Sequence, residues 1–513
     1  MIRSLRNIAR LLGIARTLAR HDALFLLETL GVAPAVVVAA RFLSQRSAEG
    51  RPGQRLARAL EEAGPSFIKL GQALSTRSDL LGEEMAADLS DLQDRLPPFS
   101  GVQARAAIAA EFDQPVADLF ERFDDEAVAA ASIAQVHFAV TPDGDEVAVK
   151  VLRPGIEDAF ARDLDLFLWV AELLEAARPD LRRLRPVASV RTLAETVEME
   201  MDLRFEAAAA VELAENFTDD ETFAVPEVDW PRTGRRVMTT ARIAGLPLDD
   251  RDDIIAAGHE PQEVLSKAAA AFFKQVFRDG FFHGDLHPGN LFVQADGSIG
   301  AVDFGIMGRL DKATRRHLGE LLLAFLGRDY RRAAEVHFEA GWVPRHKSVD
   351  SFTQACRSIA EPILDRPQNE ISMARLLAQL FQVTETFQME AQPQLLLLQK
   401  TMLVAEGTGR KLAPEANMWM LARPLIEEWM SETLTPETQM RETVDGMASA
   451  LRRLPNLLDG VQESASLLAS GRVKLHPDTI DALRAGPTPT RPPVTSWLWI
   501  VAIVFIMVVM LAV

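Results

Sequence analysis

The chain has 513 residues, 48% of them hydrophobic, which is enough to bury a large core and to form more than one domain. Its formal net charge of −18 argues against nucleic acid as the main partner, because binding a phosphate backbone requires a basic surface. The single cysteine, Cys356, excludes an intramolecular disulfide and a cysteine metal cluster, and it fits a reducing compartment.

The first 53 residues predict a basic amphipathic helix followed by apolar helices. Five arginines alternate with aliphatic residues over positions 2–20, and no acid precedes Asp22. Two interpretations are open for this helix, which either lies on an anionic membrane surface or packs on the protein's own core. Residues 24–43 are largely apolar, but an acid, a glycine and a proline interrupt them. We therefore expect a buried or interfacial helix pair there, not a membrane span.

Residues 54–123 predict a helical extension with a turn at Gly64-Pro65. The extension contains Lys69-x-Gly-Gln72, followed by Ser-Thr-Arg-x-Asp-Leu at residues 75–80. On these motifs the chain resembles the UbiB family of atypical kinases, which is linked to ubiquinone biosynthesis. Periodicity alone makes Lys69 and Gln72 the polar edge of a helix. The resemblance implies instead that they cover a nucleotide cleft.

Residues 124–248 predict a small kinase-like lobe with a helical insertion. Two predicted strands, residues 133–140 and 146–152, are joined by an Asp-Gly turn that favours a hairpin. The loop entering the hairpin is rich in alanine, whereas a kinase phosphate loop is rich in glycine so that backbone amides can approach the phosphates. Each methyl group restricts that approach, so we expect the nucleotide to sit differently than in a protein kinase. The loop also resembles the UbiB pattern, and its nucleotide-binding candidates are Ala127, Val128, Ala129, Ala130, Ala131, Ser132, Ile133, Ala134 and Gln135.

Lys150 lies in Val-Ala-Val-Lys-Val, a pattern that predicts a buried strand and leaves the ammonium group in need of a partner. Its place after a phosphate-type loop and before a catalytic loop is typical of the lysine that binds the α- and β-phosphates. A helix over residues 154–177 is predicted to be an insertion, and a second helix over residues 190–217 carries acids. The resemblance implies that one of these acids, Glu206, pairs with Lys150.

Two further acids of the second helix, Glu200 and Asp202, match the family's Glu-x-Asp motif. Glu200 and Glu206 are six residues apart and point in well-separated directions on a helix, so one carboxylate can face Lys150 while another faces Lys69. The resemblance implies that Glu200 and Asp202 meet Lys69 and Gln72 as a lid over the cleft. Residues 237–248 are predicted to link the two lobes.

Residues 249–480 predict a large helical lobe with the chemistry at its start. His-Gly-Asp285, followed by Asn290 five residues later, matches the spacing of a kinase catalytic loop. A short hairpin over residues 291–302 would return Asp303 of Asp-Phe-Gly to the side of Asn290. Asp285 is therefore the candidate catalytic base or acceptor-positioning carboxylate. Asn290 and Asp303 are the candidate Mg²⁺ ligands of an ATP site.

Helical periodicity begins almost directly after Asp-Phe-Gly, over residues 313–326, and leaves no room for a peptide-docking activation segment. Residues 481–496 predict a stiff, proline-rich linker. Residues 497–513 contain no charge and no helix breaker, and Trp497 and Trp499 lie at one end. This stretch is predicted to be a transmembrane anchor.

The sequence as a whole predicts an α+β, two-lobed protein-kinase-like fold with an N-terminal helical extension and a C-terminal transmembrane helix. The resemblance implies an atypical kinase or ATPase that uses ATP and Mg²⁺ and supports ubiquinone biosynthesis at the inner (cytoplasmic) membrane, with its catalytic domain in the cytoplasm. Expected partners are membrane lipids or quinone precursors and other ubiquinone-biosynthesis enzymes. Two alternatives stay open, a small-molecule kinase of the aminoglycoside type and a non-catalytic scaffold that recruits lipid enzymes according to its nucleotide state.

Overall fold

The computed structural model describes residues 2–23, 50–75, 83–90, 92, 96–177, 186–362, 379, 382–384, 386–389, 392–414 and 418–433. The chain divides into two compact units, residues 1–32 with 40–429 and residues 33–39 with 430–513. Nearly all of the second unit lies outside the described residues, as do the apolar stretch 24–43, the linker 481–496 and the predicted anchor 497–513. Among the helices that are described, none combines the length and apolar character needed to cross a membrane.

The N-terminal helices are α1 (Ile2–Arg20), α2 (Pro52–Ala63), α3 (Pro65–Ser75) and α4 (Glu83–Ser90). Apolar side chains of α1, α2 and α3 pack into one cluster together with Phe167, which belongs to the helical insertion. Arg6 and Arg10 of α1 form ion pairs with Asp165 (2.7 Å) and Asp163 (2.9 Å) of that insertion. The structure thus agrees with the interpretation in which α1 packs on the protein's own core.

The small lobe begins with α5 (Gly101–Phe112) and α6 (Val116–Leu119) and then forms a five-stranded sheet. The strands are β1 (Arg122–Phe123), β2 (Ala129–Ala130), β3 (Ala134–Val140), β4 (Glu146–Leu152) and β6 (Val237–Ala241). The predicted hairpin is confirmed, since β3 and β4 pair antiparallel along their whole length, from Ala134 opposite Leu152 to Val140 opposite Glu146. Valines of β4 alternate into a core shared with α5, so Lys150, which lies between two of them, projects to the opposite face of the sheet.

Three helices separate β4 from β6, namely α7 (Ile156–Ala177), α8 (Pro186–Glu200) and α9 (Leu203–Asn216). The helix predicted over residues 190–217 is therefore wrong as one continuous element. Asp202 interrupts it with extended backbone angles, φ −118° and ψ 93°, and its carboxylate accepts a hydrogen bond from the Arg204 amide. An aspartate in this geometry is a favourable N-cap, which explains why α9 begins directly after it.

The large lobe holds two small sheets. One contains β5 (Phe223–Ala224), β10 (Ile299–Ala301), β9 (Leu291–Val293) and β7 (Leu246–Pro247), and the other pairs β8 (Phe281–His283) with β11 (Met307–Arg309). The segment over residues 237–248 runs from β6 of the small sheet to β7 of the large lobe, as predicted. The catalytic-loop motif lies between β8 and β9.

The remaining helices belong to the large lobe. They are α10 (Arg251–Ala256), α11 (Pro261–Phe273), α12 (Lys312–Leu326), α13 (Tyr330–Glu339), α14 (Val349–Ala360), α15 (Pro393–Leu412) and α16 (Met418–Thr433). The helix predicted directly after Asp-Phe-Gly is confirmed by α12. A π-helical turn over Lys274–Asp279 continues α11 and leads into β8, which carries the start of the catalytic loop.

Candidate active site

Lys150 stands at the centre of the candidate site. Its ammonium group donates hydrogen bonds to Glu206 Oε1 at 2.7 Å and to Asp303 Oδ1 at 2.9 Å. Glu206 comes from the first turn of α9, and Asp303 follows β10. The prediction that Lys150 pairs with Glu206 is confirmed, and the same lysine connects the small lobe to the Asp-Phe-Gly segment.

The charges at Lys150 are unbalanced because one ammonium faces two carboxylates. Burial disfavours the ammonium form, but Asp303 and Glu206 together outweigh that effect and raise the pKa of Lys150. Burial raises the pKa of Glu206 to about 7, because the nearby charge of Asp303 adds to this effect and Lys150 only partly opposes it. Desolvation also opposes the ionisation of Asp303, yet Lys150 holds its pKa well below the usual range. Above the pKa of Glu206 the two carboxylates carry one negative charge more than Lys150 balances, which favours the binding of a cation.

The backbone of Asp303 has a φ of +61°, in the left-handed region that residues other than glycine rarely adopt. The amide of Val302 donates a hydrogen bond to the carbonyl oxygen of Asn290 at 2.9 Å. Strands β9 and β10, which lie between these two residues in the chain, pair antiparallel. The predicted hairpin that returns Asp303 to the side of Asn290 is therefore confirmed. The Asp303 side chain is 46% exposed, so the strained backbone presents its carboxylate to the outside of the core.

His283 organises the backbone of the catalytic loop from a fully buried position. Its Nδ1 accepts a hydrogen bond from the amide of Asp285 at 3.1 Å, so Nε2 carries the proton and donates to the carbonyl oxygen of Val302 at 3.2 Å. Burial lowers the pKa of His283, in keeping with this neutral form. The ring thereby connects Asp285 to the strand end that precedes Asp303.

Asn290 closes the other end of the loop. Its amide nitrogen donates to the backbone carbonyl of Asp285 at 3.0 Å, so the amide oxygen is the atom left to bind a cation. An amide oxygen and a carboxylate are the hard oxygen donors that Mg²⁺ prefers, and Mg²⁺ needs few of them from a protein. Asn290 and Asp303 therefore fit Mg²⁺. Within the described ranges, no group of three or more His, Cys, Asp or Glu side chains offers another metal site.

The alanine-rich loop forms the edge of the small sheet. Ala129 and Ala130 pair with β3, and Arg153 donates to the carbonyl oxygen of Ala131, which fixes the turn. Gln135 is only 1% exposed, and its side-chain amide exchanges hydrogen bonds with both backbone groups of Phe99 at 2.8 and 3.0 Å. The Gln135 side chain is therefore engaged in holding the segment before α5 against the sheet. Nucleotide contact by this loop stays a prediction.

One of the contacts predicted for the lid is present. Lys69 of α3 lies 2.8 Å from Glu200 at the end of α8, with side chains 10% and 17% exposed. The prediction that a carboxylate faces Lys69 is confirmed for Glu200. Asp202 has another role, because its carboxylate caps α9 and binds the Arg204 guanidinium at 2.6 Å. Gln72 lies one turn after Lys69 on α3 and is half-buried.

Helix α15, in which the sequence predicted no site residue, contacts the catalytic loop. Thr401 is fully buried and donates to the carbonyl oxygen of Gly284 at 2.9 Å. Lys400 Nζ lies 3.8 Å from Asp285 Oδ1. The detectable signal was the polar Gln-Lys-Thr at residues 399–401, which interrupts an otherwise apolar helical run.

Two regions of the chain match known protein families. Residues 91–337 match the family described as ABC1 atypical kinase-like domain. Residues 356–417 match the UbiB helical domain, and this second match contains α15.

Similar proteins cover most of the chain. A probable protein kinase UbiB from Marinobacter nauticus is 44% identical over 409 residues, which are 79% of this chain and 75% of that protein. A protein of the same name from Pseudomonas putida is 41% identical over 83% of this chain and 79% of its own length. The solved structure of an Rv3197–erythromycin complex from Mycobacterium tuberculosis is similar with a TM-score of 0.51 and 28% identity, and it covers 72% of this chain and 93% of that one.

Proposed function

The chain belongs to the UbiB family of atypical kinases, and we propose that it binds Mg-ATP beside Lys150 and acts as a kinase or ATPase that supports ubiquinone biosynthesis. The observation that carries this proposal is the position of Lys150 between Glu206 and Asp303. One cation shared by two carboxylates, next to a loop with the spacing of a kinase catalytic loop, suits a metal–nucleotide site better than a structural ion pair.

In this proposal each residue at the centre has a role that its geometry supports. Lys150 binds the α- and β-phosphates, and Glu206 holds its ammonium group in place once the contact with Asp303 loosens. Asp303 and Asn290 would hold Mg²⁺ through a carboxylate and an amide oxygen. When bound, the ion supplies positive charge to the phosphate oxygens.

Asp285 acts on the acceptor. In the transfer step, an acceptor oxygen forms a bond to the γ-phosphorus while the bond from that phosphorus to the bridging oxygen of ADP breaks. The proton of the acceptor hydroxyl, or of water in an ATPase, passes to the Asp285 carboxylate. His283 and Asn290 fix the loop backbone on both sides of this carboxylate, so its position is set before the nucleotide binds.

We also propose that residues 497–513 anchor the chain in the inner membrane, with the catalytic domain in the cytoplasm near lipids, quinone precursors and other ubiquinone-biosynthesis enzymes. The uncharged sequence of this stretch and its two tryptophans support the proposal. Truncation after Pro493 should release most of the protein from washed membranes. Recovery of the full-length chain in the soluble fraction alone would contradict it.

The function is tested by measuring ATP turnover with and without Mg²⁺, membrane vesicles and a phenolic quinone precursor. The proposal expects Mg²⁺-dependent turnover that vesicles or the precursor increase. Tight nucleotide binding with no turnover under any condition would favour a scaffold. A phosphorylated small molecule unrelated to quinones would favour the small-molecule kinase.

A further inference from the structure

Helix α15 is docked on the catalytic loop in a fixed register. A Cβ atom added to Gly284 would lie 3.0 Å from Leu397 of α15 and 2.9 Å from Ile306, so the loop approaches the helix as closely as glycine allows. The Thr401 hydroxyl adds a buried hydrogen bond to the carbonyl oxygen of the same glycine. Because both contacts are to the residue before Asp285, the helix cannot slide without moving the catalytic carboxylate.

This register brings Lys400 to the catalytic carboxylate. The distance of 3.8 Å from Lys400 Nζ to Asp285 Oδ1 is too long for a hydrogen bond but short enough for strong Coulomb attraction. The two side chains are 45% and 29% exposed, so a ligand can reach the space between them. The ammonium group thus lies near Asp285 but does not form a hydrogen-bonded ion pair with it.

At this end of the site the negative charge of Asp285 would repel the negative phosphate oxygens unless a cation lay beside them. Lys150 is already held by two carboxylates on the side of Asp303, whereas Asp285 must lie beside phosphate oxygens that are themselves negative. Phosphoryl transfer is catalysed mainly by positive groups that face the transferred phosphoryl, since the protein does little covalent chemistry. A cation next to Asp285 offsets the repulsion between this carboxylate and the phosphates.

His287 is the other basic side chain near Asp285, with Nε2 at 3.8 Å from Oδ2. Its Nδ1 accepts a hydrogen bond from the Gly289 amide at 3.1 Å, and this contact requires Nδ1 to be unprotonated. The imidazole in this arrangement caps the short turn before Asn290. Lys400 supplies a lysine ammonium group at 3.8 Å from the other carboxylate oxygen of Asp285.

We propose that Lys400 is a catalytic residue that binds the γ-phosphoryl oxygens of ATP while the phosphoryl group faces Asp285. This inference rests on the proposed Mg-ATP function and assigns to the helical domain a direct part in the chemistry. Lys150 and Lys400 then bind different parts of the triphosphate, Lys150 the α- and β-phosphates and Lys400 the γ-phosphate.

The experiment compares Lys400→Ala and Lys400→Arg with Lys411→Ala in the full-length protein. Lys411 is a matched control because it lies on the same helix and pairs with Asp249 at 3.2 Å on the surface. Turnover, melting temperature and the affinities for Mg-ATP and Mg-ADP are measured for each. ADP lacks the γ-phosphoryl group, so a residue that binds this group should affect ATP more than ADP.

We expect Lys400→Ala to lower kcat about 10²-fold, the effect typical of removing one positioned charge-stabilising group. Mg-ATP affinity should fall about tenfold or more and Mg-ADP affinity less than twofold, with an unchanged melting temperature. Lys400→Arg should recover part of the turnover, and Lys411→Ala should match the wild type.

Three results would overturn the proposal in distinguishable ways. Unchanged turnover and an unchanged ratio of ATP to ADP affinity in Lys400→Ala would remove Lys400 from the site and leave the Mg-ATP function standing. Equal losses for both nucleotides, with a lower melting temperature, would make Lys400 a structural residue of α15. Failure of the wild-type protein to bind Mg-ATP would overturn the proposed function itself, and the role of Lys400 with it.

Discussion

Two lysine–glutamate pairs occur at the two ends of one short segment, Glu200–Glu206, and they differ in their surroundings. At one end, Glu200 meets Lys69 of the helical extension. At the other end, Glu206 meets Lys150, but this lysine also binds Asp303. Both lysines are mostly buried, with side chains 10% and 16% exposed. Burial alone therefore does not distinguish the pair that holds helices together from the pair at the proposed nucleotide site.

The difference lies in the second carboxylate. The Lys69–Glu200 contact connects α3 to α8 next to the edge-to-face packing of Phe67 on Phe167. The Lys150 centre adds the carboxylate of Asp303, on a side chain that is 46% exposed and held at φ of +61°. The comparison teaches that a lysine–glutamate pair between two packed helices serves cohesion, whereas a pair joined by an exposed carboxylate on a strained backbone is ready to bind a cation.

The largest expected effect comes from removing the second carboxylate. Asp303→Asn keeps the size of the side chain, and asparagine tolerates the left-handed backbone, so the fold should persist. Loss of the metal-binding charge should weaken Mg²⁺-dependent ATP binding by about 10²-fold or more. A thermal-shift titration with Mg-ATP measures this, and wild-type protein without Mg²⁺ should resemble the variant.

Asp143→Asn is the matched control, because Asp143 is exposed in the turn between β3 and β4. It should bind Mg-ATP as the wild type does. Unchanged Mg-ATP affinity in Asp303→Asn would show that Asp303 is not a metal ligand and would remove the contrast between the two pairs.

The next largest expected effect is a loss of stability when the Lys69 side chain is removed. Lys69→Ala leaves the Glu200 carboxylate without this partner, a change that costs about 3–5 kcal/mol in a fully buried pair. Because Glu200 is 17% exposed, we expect about 2 kcal/mol, measured by denaturant unfolding. The loosened contact between α3 and α8 should also alter nucleotide selectivity, increase self-phosphorylation and impair the quinone-related function.

The surface variant Lys411→Ala serves as the control here too, since an exposed ion pair contributes about 0–1 kcal/mol. If Lys69→Ala behaved as the wild type in stability, nucleotide affinity, self-phosphorylation and quinone complementation, Lys69 would be an ordinary helix-surface lysine.

Much of the site could be predicted because its parts are local in sequence. The hairpin from Asn290 to Asp303 follows from a turn between two short apolar strands, so the approach of the two metal-ligand candidates was predictable. The Lys150–Glu206 pair is long-range and was predicted through family resemblance, not through periodicity. Periodicity alone makes Lys69 the polar edge of a helix and places Lys150 on a buried strand without naming its partner.

What could not be predicted depends on tertiary contacts or on one backbone break. The interruption at Asp202 is invisible to helical periodicity, because the residues on both sides of it are good helix formers. The contact of Lys400 with Asp285 joins residues more than a hundred positions apart, and no local pattern specifies such a distance. The burial of Gln135 against Phe99 likewise depends on packing between α5 and the sheet.

A smaller effect compares neutralisation of the two glutamates. Glu200→Gln removes the charge that faces Lys69, so we expect a loss of about 1–2 kcal/mol of stability. Glu206→Gln leaves Lys150 with the carboxylate of Asp303, so the metal-free protein should lose less than about 0.5 kcal/mol although Glu206 is the more buried of the two. Denaturant unfolding without Mg²⁺ measures both. The reverse order of losses would show that the second carboxylate does not make the centre unbalanced.

The smallest expected effect comes from replacing Asp202, which lies between Glu200 and Glu206 in the chain. Asp202 accepts the Arg204 amide as the N-cap of α9, and loss of such a cap costs about 1 kcal/mol. Asp202→Ala should therefore lower the unfolding free energy by about that amount, and Asp202→Asn should recover most of it. Asp311→Ala, which removes the N-cap of α12, is the matched control and should cost a similar amount.

The decisive measurement is whether the effects of Asp202→Ala and Lys69→Ala are additive. A cap and an ion pair with separate partners should give free-energy changes that add within about 0.5 kcal/mol in the double variant. If Asp202 instead shared the charge of Lys69, the double variant would lose clearly less than the sum. Additivity would establish that Lys69 depends on Glu200 alone of the two lid acids, and that Asp202 acts by starting the helix that carries Glu206 to Lys150.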